Sequence, residues 1–340
     1  MTGPHRAIAA IRVAVRRALA QIEQVKQGGL VLVACSGGAD SLALAAAVAF
    51  EAPRGGLSAG AVIVDHDLQE GSLAVAERAA DQCRRLGLDP VEVVTVQVGS
   101  SGPGSGSGSG SGPEARARDA RYRAFEDVLE RFGAVAVLLG HTRDDQAEQV
   151  LLGLARGSGA RSLSGMPARR GPYVRPLLGV ARTTTLAACE AAGLTAWVDP
   201  HNSDPAYGRV RARALLPVLE TELGPGTVAA LARSADLLRE DADALDGLAA
   251  RALSELSELG SRWVEAAALL RLPRAIRTRV WRLLALEAGC SPGALISTHI
   301  ESLDTLVTCW RGQGPIDLPG HVQGSRSAGR VLVAGTRQVE

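Results

Sequence analysis

Residues 30–41 read Leu-Val-Leu-Val-Ala-Cys-Ser-Gly-Gly-Ala-Asp-Ser, and this stretch decides the fold class. The apolar run 30–35 predicts a buried strand, and the Ala-rich residues 41–50 predict a helix directly after it. Between them, two glycines allow a tight turn and a close approach of the backbone to a ligand. N–H groups at the helix start and the hydroxyls of Ser36 and Ser41 could then hold a phosphate. The alternative without a ligand is a turn with glycines for steric reasons and Ser41 as a helix cap.

Apolar runs and helical patterns alternate on both sides of this loop. Further strands are predicted at 61–65, 91–98, 134–140 and 195–198. Helices are predicted at 73–86, 114–131, 145–155 and 184–192, where apolar residues recur every three or four positions or alanine dominates. This alternation is typical of βαβ units, so we predict an α/β fold with a doubly wound, mainly parallel, Rossmann-like sheet, followed by a smaller helical domain. Ligands of such sheets lie beyond the carboxyl ends of the strands.

Changes in sequence character divide the chain into segments. Residues 1–27 predict an amphipathic helix, because Ile8, Ile11, Val15 and Leu19 recur at helical spacing between arginines. Residues 28–204 carry the alternating strands and helices, and residues 205–340 predict a mainly helical domain whose tail, at 314–319 and 330–334, forms a small hairpin. Residues 99–112 contain only Gly and Ser apart from one proline, and they predict a flexible coil.

Composition excludes several classes of protein. With 46% hydrophobic and 21% charged residues, the 340-residue chain has ordinary globular usage, which argues against disordered, collagen-like and coiled-coil chains. No apolar run approaches the ~18 to 20 residues that a bilayer requires, so we expect no membrane span. The five cysteines form no Cys-x-x-Cys motif and fit a reducing cytoplasm. Because the net charge is only +1, any contact with nucleic acid must come from local basic patches.

The hexapeptide Ser36-Gly-Gly-Ala-Asp-Ser41 resembles the pyrophosphate loop of the N-type ATP pyrophosphatases, the PP-loop superfamily. It differs from a Walker A loop, which ends in Gly-Lys-Ser/Thr, and from the Gly-x-Gly-x-x-Gly dinucleotide motif. The resemblance implies a PP-loop ATPase fold for residues 28–204 and cleavage of ATP between its α- and β-phosphates, with adenylation of an oxygen. By the same resemblance, the loop residues Ser36, Gly37, Gly38, Asp40 and Ser41 bind ATP.

Further motifs follow in a fixed order, the first of them at predicted strand ends. They are Asp65-His-Asp-Leu68, Glu114-Ala-Arg-Ala-Arg-Asp-Ala-Arg-Tyr122, Leu139-Gly-His-Thr-Arg-Asp-Asp-Gln-Ala-Glu148, Leu154-Ala-Arg-Gly-Ser-Gly159, Leu163-Ser-Gly-Met-Pro167, Val174-Arg-Pro-Leu-Leu178 and Asp199-Pro-His-Asn-Ser-Asp204. Within the PP-loop superfamily, this collinear set is similar to that of the tRNA(Ile)-lysidine synthases, over roughly residues 28–220. A collinear series is far more specific than any one of its motifs.

Several motif residues also have explanations without a ligand. Arg118 and Arg121 lie three apart on one helix face, where they could be solvated charges or could bind a carboxylate or phosphate. The resemblance supports a substrate role for both, with Arg121 as the catalytic one. His66 and His141 could be ordinary imidazoles at strand ends, and the resemblance places them near ATP.

Asp145 and Glu148 lie three apart near a predicted helix start, where the helix dipole stabilises acidic side chains without any function. Their shared face also suits Mg²⁺ or an ammonium group. The resemblance implies that Asp40, Asp145 and Glu148 are catalytic, and that Asp40 and Asp145 hold Mg²⁺. Which of the three carboxylates accepts the proton of an attacking amine stays open.

Basic residues gather in two stretches. Five arginines and no acidic residue lie between 156 and 175, and three more alternate with Val210 and Ala212. Such stretches predict a polyanion-binding face, although a solvated loop is the alternative. The residues that we expect to bind lysine or tRNA are Arg118, Arg156, Arg161, Arg175, Arg209, Arg211 and Arg213. Val210 stands where the family tends to have Asn, a departure from the family's pattern within this basic stretch.

The resemblance implies one reaction. ATP, with Mg²⁺, would drive the ligation of free L-lysine to C2 of the wobble cytidine of tRNA(Ile), whose anticodon is CAU. An adenylated cytidine would form on the way to lysidine, AMP and diphosphate. Another PP-loop pyrophosphatase, such as a tRNA thiolase or an amide synthetase, and an inactive RNA-binding relative are the alternatives; the nearest thiolases use paired cysteines. Monomer and homodimer both remain open.

Overall fold

The computed structural model describes residues 3–22, 28–65, 71–96, 113–157, 159–199, 204–256 and 263–336. The predictions on His66 and on residues 99–112 therefore lie outside the described residues. The chain divides into two compact units, Met1–Leu237 and Leu238–Glu340. No helix in the described part of the chain combines the length and the apolarity needed to span a bilayer.

The first unit contains one six-stranded sheet with helices. Its strands are β1 (Leu30–Ala34), β2 (Ser58–Asp65), β3 (Val91–Thr95), β4 (Ala136–Leu139), β5 (Arg169–Arg170) and β6 (Tyr173–Val174). Its helices are α1 (Arg6–Leu19), α2 (Ala39–Glu51), α3 (Ser72–Arg85), α4 (Pro113–Phe132), α5 (Arg143–Ala155), α6 (Ala160–Leu163), α7 (Arg182–Ala191), α8 (Gly208–Glu222) and the start of α9 (Thr227–Leu256). The strand order is β3-β2-β1-β4-β6-β5, and every pair is parallel except β5 with β6. The predicted doubly wound, mainly parallel fold is confirmed.

Successive residues of β1 and β4 face opposite sides of the sheet, because side chains alternate along a strand. Val31 and Val33 belong to a core formed with α1, α2, α3 and α7. Leu32 belongs to a second core formed with Phe125 and Val128 of α4. Both faces of the central strands are therefore covered, and this explains why the strands consist of unbroken apolar runs rather than alternating polar and apolar residues.

The predicted strand 195–198 is wrong, because these residues form no strand. The backbone N–H and carbonyl of Thr195 bond to the side-chain amide of Gln82, at 2.9 and 3.0 Å. The N–H of Trp197 donates to the carbonyl of Gly37 at 2.9 Å. These partners satisfy the backbone without a neighbouring strand. The sheet is instead extended beyond β4 by the two-residue strands β5 and β6, which are too short to show a periodic pattern.

The second unit contains a four-stranded antiparallel sheet and helices. Its further elements are β7 (Trp263–Glu265), α10 (Ala266–Arg271), α11 (Arg274–Glu287), α12 (Ser297–Thr308), β8 (Ile316–Leu318), β9 (Val322–Ser327) and β10 (Arg330–Gly335). The sheet order is β7-β10-β9-β8. The predicted hairpin is wrong in its pairing, because β9 lies between the two predicted strands. β9 consists mainly of polar residues and contains Gly324, which lies against Leu303. It therefore shows no apolar pattern in the sequence.

The boundary between the units lies later in the chain than the sequence analysis placed it. The predicted helical domain starts at 205, whereas the first compact unit extends to Leu237. Ala147 of α5, Leu216 of α8 and Val228 of α9 form a small buried cluster. These apolar contacts attach α8 and the first turns of α9 to the first unit.

Candidate active site

The loop between β1 and α2 has the geometry of an anion-binding turn. Gly37 adopts a φ of +80°, and a Cβ there would lie 3.3 Å from the Cβ of Ala79. The positive φ favours glycine at this position, and the tight contact with Ala79 adds to that preference. Gly38 precedes the first residue of α2 without a side-chain cap, so no side chain of the cap residue occupies the first N–H groups of the helix. Those N–H groups are suited to a phosphate.

The two serines of the loop have different roles in the structure. Ser41 is buried, and its Oγ accepts a hydrogen bond from the N–H of Ser36 at 3.2 Å and donates to the carbonyl of Gly38 at 2.9 Å. Ser41 therefore braces the turn. Ser36 is exposed, and its hydroxyl has only a long 3.4 Å contact with Ser41 Oγ, so it can turn to a ligand. Gly140, at the end of β4, approaches so closely that a Cβ there would lie 3.2 Å from the Cα of Ser41.

Three carboxylates meet around one guanidinium beside this loop. Arg182 Nη2 lies 2.7 Å from Asp145 Oδ1, and Arg182 Nη1 lies 3.1 Å from Glu148 Oε1. Arg182 Nε lies 3.5 Å from Asp40 Oδ2. The structure thus brings together the three predicted catalytic carboxylates, from α2 and α5, and joins them through a residue of α7.

The local environment gives Asp40 and Asp145 opposite pKa shifts. Burial raises the pKa of Asp40, and the hydroxyl of Thr185 and the guanidinium of Arg182 only partly offset this. Burial also acts to raise the pKa of Asp145, but Arg182 and two hydrogen bonds from Thr142 outweigh it, so the pKa of Asp145 is lowered. The N–H and the hydroxyl of Thr142 both donate to Asp145 Oδ2, at 2.7 and 2.8 Å. Asp145 is therefore held ionised, and Asp40 accepts a proton more readily.

Glu148 is buried and binds two arginines. Besides Arg182, the Nε of Arg213 donates to Glu148 Oε1 at 2.7 Å, and Arg213 Nη2 lies 3.4 Å from Oε2. The sequence predicts Arg213 as a tRNA or lysine contact. In the structure its charge is directed to a carboxylate of the acidic cluster. The charges of the two guanidiniums compensate the charge of the buried glutamate, which would otherwise be costly to bury.

Basic residues that act electrostatically on His141 also contact an aromatic side chain. Arg175, at the end of β6, is buried, and its Nη2 donates to the hydroxyl of Tyr122 at 3.3 Å. Arg118 lies 5.0 Å from the centre of the Tyr122 ring. His141 Nδ1, Arg175 Nε and the hydroxyl of Tyr173 are buried without a hydrogen-bond partner among the described residues. Buried polar atoms that lack partners mark this region as one suited to a polar ligand.

The remaining predicted basic residues are spread out. Arg121 is exposed on α4, Arg209 is half-buried, and Arg211 donates to the backbone carbonyl of Pro205 at 2.6 Å. Arg156 and Arg161 are exposed at and after the end of α5. The structure therefore places Arg175 and Arg213 within the candidate site and the exposed arginines outside its buried part.

Sequence reasoning missed Arg182 and Thr185. Both lie in the first turn of α7, and both contact Asp40, which is 142 and 145 positions earlier in the chain. One signal was available: an arginine at the first position of a helix faces the positive end of the helix dipole, which is unfavourable unless acidic partners compensate.

His141 gives a prediction for the pH dependence of stability. Burial lowers the pKa of His141 from 6.5 to about 4. Between these values the unfolded chain binds more protons than the folded one, so the free energy of unfolding rises with pH across this window. We expect His141→Gln to reduce the loss of stability between pH 7 and pH 5 by about 2 kcal/mol. Urea unfolding of both proteins at each pH measures this, and equal pH dependence in the two would contradict it.

Comparisons with known proteins agree with this architecture. Residues 11–219 match the family described as the PP-loop domain, and residues 265–332 match the TilS substrate binding domain. The chain is 56% identical to the tRNA(Ile)-lysidine synthase of Thermobifida fusca, over 98% of this chain and 99% of that protein. It is 52% identical to the tRNA(Ile)-lysidine synthase of Streptomyces coelicolor, over 97% of this chain and 99% of that protein.

A solved structure resembles the chain in fold. The U34-tRNA thiolase NcsA from Methanococcus maripaludis superposes with a TM-score of 0.56 and 19% identity, over 68% of this chain and 80% of that one. At this identity the likeness concerns the fold alone. The near full-length relatives and the matched PP-loop domain are much more specific. The chain therefore belongs to the tRNA(Ile)-lysidine synthase family and is an enzyme of the ligase class.

Proposed function

We propose that the protein ligates free L-lysine to C2 of the wobble cytidine of tRNA(Ile) with the cleavage of ATP to AMP and diphosphate. Membership of the family makes it a ligase that forms a carbon–nitrogen bond, and the PP-loop domain implies the use of ATP. One observation carries the finer proposal. A phosphate-binding turn and an acidic cluster suited to an amine share Asp40, which lies in the turn and contacts the same guanidinium as Asp145 and Glu148.

The first step needs an anion site and a leaving group. The C2 oxygen of cytidine attacks the α-phosphorus of ATP, and the bond from that phosphorus to the pyrophosphate oxygen breaks. The turn 36–41 receives the pyrophosphate charge through the N–H groups at the start of α2 and the hydroxyl of Ser36. His141 is kept neutral by its lowered pKa, so it can donate or accept a hydrogen bond beside the nucleotide without adding charge.

The second step needs a base. The ε-amine of lysine, with an ordinary pKa near ~10.4, must lose a proton before it attacks C2 and AMP leaves. Asp145 is poorly suited to accept that proton, because its pKa is lowered and both of its oxygens accept hydrogen bonds. Both oxygens of Glu148 also accept hydrogen bonds, from Arg182 and Arg213, so Asp40 is the better candidate base. Arg121 and Arg118 of α4, together with Arg175, are the proposed partners of the lysine carboxylate or of the phosphate charge.

The site fits a magnesium ion that is held together with substrate phosphates. Within the described residues, no group of three or more His, Cys, Asp and Glu side chains could hold a metal ion. Mg²⁺ is commonly held by only one or two carboxylates together with substrate phosphates and water. Asp40, whose Oδ2 lies 3.5 Å from Arg182, fits that arrangement, and Asp145 would join it once a hydrogen-bond donor leaves one of its oxygens. When bound, the ion supplies neutralisation of the charge that develops on the departing pyrophosphate.

The exposed arginines give a prediction for tRNA binding. If Arg156, Arg161 and Arg211 each neutralise one phosphate, the log of the affinity should fall with the log of the salt concentration with a slope of about −2 to −3. We expect Arg156→Gln to flatten the slope by ~0.7 to 0.9, and Arg213→Gln to leave it unchanged because Arg213 is paired with Glu148. Filter binding over a salt series measures both slopes, and a flat response of the wild-type protein would contradict the proposed RNA face.

The structure does not favour the thiolase alternative. Cys35 and Cys83 are 48 positions apart in the sequence, and the structure places both in the same buried core. Both side chains are buried, at 2% and 0% exposure. Cys35 and burial raise the pKa of Cys83, whereas the neighbouring Cys83 lowers the pKa of Cys35 to about 7, so it is burial that keeps both thiols from a substrate. Sulfur transfer requires an accessible thiolate, so this pair is unsuited to it.

The test of the proposed function is a product assay. The protein is incubated with ATP, labelled lysine and tRNA(Ile), and both label in the RNA and released pyrophosphate are measured. Label in the RNA together with an equal amount of pyrophosphate is expected. Pyrophosphate released without labelled RNA would instead indicate another PP-loop pyrophosphatase.

A further inference from the structure

Arg182 occupies a position that its own helix does not explain. It is the first residue of α7, where the N–H groups of the helix start carry partial positive charge and disfavour a cation. The acidic side chains around Arg182 explain why an arginine is stable at this position. The guanidinium contacts Asp40, Asp145 and Glu148, and the backbone N–H of Arg182 donates to Asp144 Oδ2 at 2.8 Å. Only 20% of its side chain is exposed, so these contacts are shielded from solvent.

The cluster around Arg182 has an uneven balance of charge. Three carboxylates form ion pairs with two guanidiniums, because Arg213 also contacts Glu148 and lies 3.9 Å from Asp145, whereas Asp144 binds only the backbone of Arg182 and is not counted here. With all five groups ionised, the cluster carries a net charge of −1. One singly charged amine restores neutrality, whereas a free divalent cation would leave an excess positive charge in a partly buried site.

The carboxylate oxygens are also largely occupied. Arg182 donates hydrogen bonds to Asp145 Oδ1 and Glu148 Oε1. The N–H and the hydroxyl of Thr142 donate to Asp145 Oδ2. A metal ion would have to displace N–H donors from these oxygens. Asp40 has the longest contact with Arg182, at 3.5 Å, so its Oδ2 is the least tightly held.

We propose that Arg182 is a specificity-determining residue, a built-in counter-cation that keeps free divalent ions off Asp40, Asp145 and Glu148 and reserves the cluster for a singly charged amine. The inference rests on the proposed function, in which Asp40 and Asp145 hold Mg²⁺ and lysine brings the amine. Asp40 and Asp145 would then hold Mg²⁺ only when ATP is bound, because the phosphates would supply the negative charge that Arg182 neutralises in the free cluster.

The test is Mn²⁺ binding to the full-length, nucleotide-free protein, followed by electron paramagnetic resonance of the free ion. Arg182→Gln changes the net charge of the cluster to −2, and we expect Mn²⁺ to bind on the order of tenfold more tightly than to wild type. Arg182→Lys keeps the charge and should bind as weakly as wild type. Arg78→Gln, an exposed arginine of α3, serves as the matched control. No gain in Arg182→Gln, or an equal gain in Arg182→Lys, overturns the proposal.

A second variant keeps the test decisive if Arg182→Gln does not fold. Arg213→Gln removes a more exposed guanidinium from the same cluster and gives the same net charge of −2, so it should also gain Mn²⁺ affinity. Adding Glu148→Gln to either variant should return the affinity to the wild-type level. Lack of a gain in folded Arg213→Gln overturns the charge argument. Because metal binding needs no turnover, failure of the proposed reaction would leave these results unaffected.

Discussion

Asp40→Asn is expected to abolish ATP cleavage while the protein still folds. The amide keeps the size of the side chain and can still accept the hydrogen bond of Thr185, but it loses the charge that faces Arg182 and the proposed metal ion. Removing one preorganised electrostatic group from an active site typically costs on the order of 10²- to 10³-fold in rate, and we expect at least this loss. Pyrophosphate release with tRNA(Ile) and lysine present measures it.

We expect the fold to tolerate this change, because the pKa of Asp40 is raised. Burial raises that pKa, which means that folding disfavours the ionised carboxylate, so a neutral side chain costs little stability. Asp81→Asn, an exposed carboxylate of α3 paired with Arg84, is the matched control and should keep both activity and stability. Near wild-type pyrophosphate release from folded Asp40→Asn would remove the loop from the proposed mechanism.

The base at the wobble position is expected to have the largest effect of all. With ATP and labelled lysine, label should enter tRNA(Ile) that carries cytidine there and should not enter the same RNA with uridine. Uridine N3 carries a proton where cytidine N3 accepts one, and its O4 accepts where cytidine N4 donates, so a pocket built for cytidine would bury unpaired polar groups. Sites that recognise a substrate through such hydrogen bonds reject the wrong analogue by about 10⁴-fold.

This comparison separates the proposed reaction from its alternatives. Incorporation into both RNAs would contradict selection at the wobble base. Incorporation into neither, with pyrophosphate still released to another acceptor, would support a different PP-loop pyrophosphatase. Binding of both RNAs with equal affinity would not conflict with the proposal, since phosphate contacts position an RNA and contacts to its bases select it.

The local sequence pattern was sufficient to predict most strands and helices of the first unit. The apolar runs that became β1, β2 and β4 and the periodic stretches that became α2, α3 and α5 were predicted with their type and order. Two errors share a cause. Residues 195–198 look like a strand but satisfy their backbone through Gln82 and Gly37, and β9 is a strand with few apolar residues. In both, distant neighbours rather than local propensity determine where the backbone hydrogen bonds go.

The sequence by itself determined the phosphate loop, its place between a strand and a helix, and the identity of the three carboxylates, because each of these is written within a few consecutive residues. Only the tertiary structure decided that Arg182 joins the carboxylates and that Arg213 is directed to Glu148 rather than to solvent. The ion pairs concerned link residues 34 to 142 positions apart. Ion pairs depend on charge and distance in space, and neither periodicity nor motif spacing records which distant residues the folded sheet brings together.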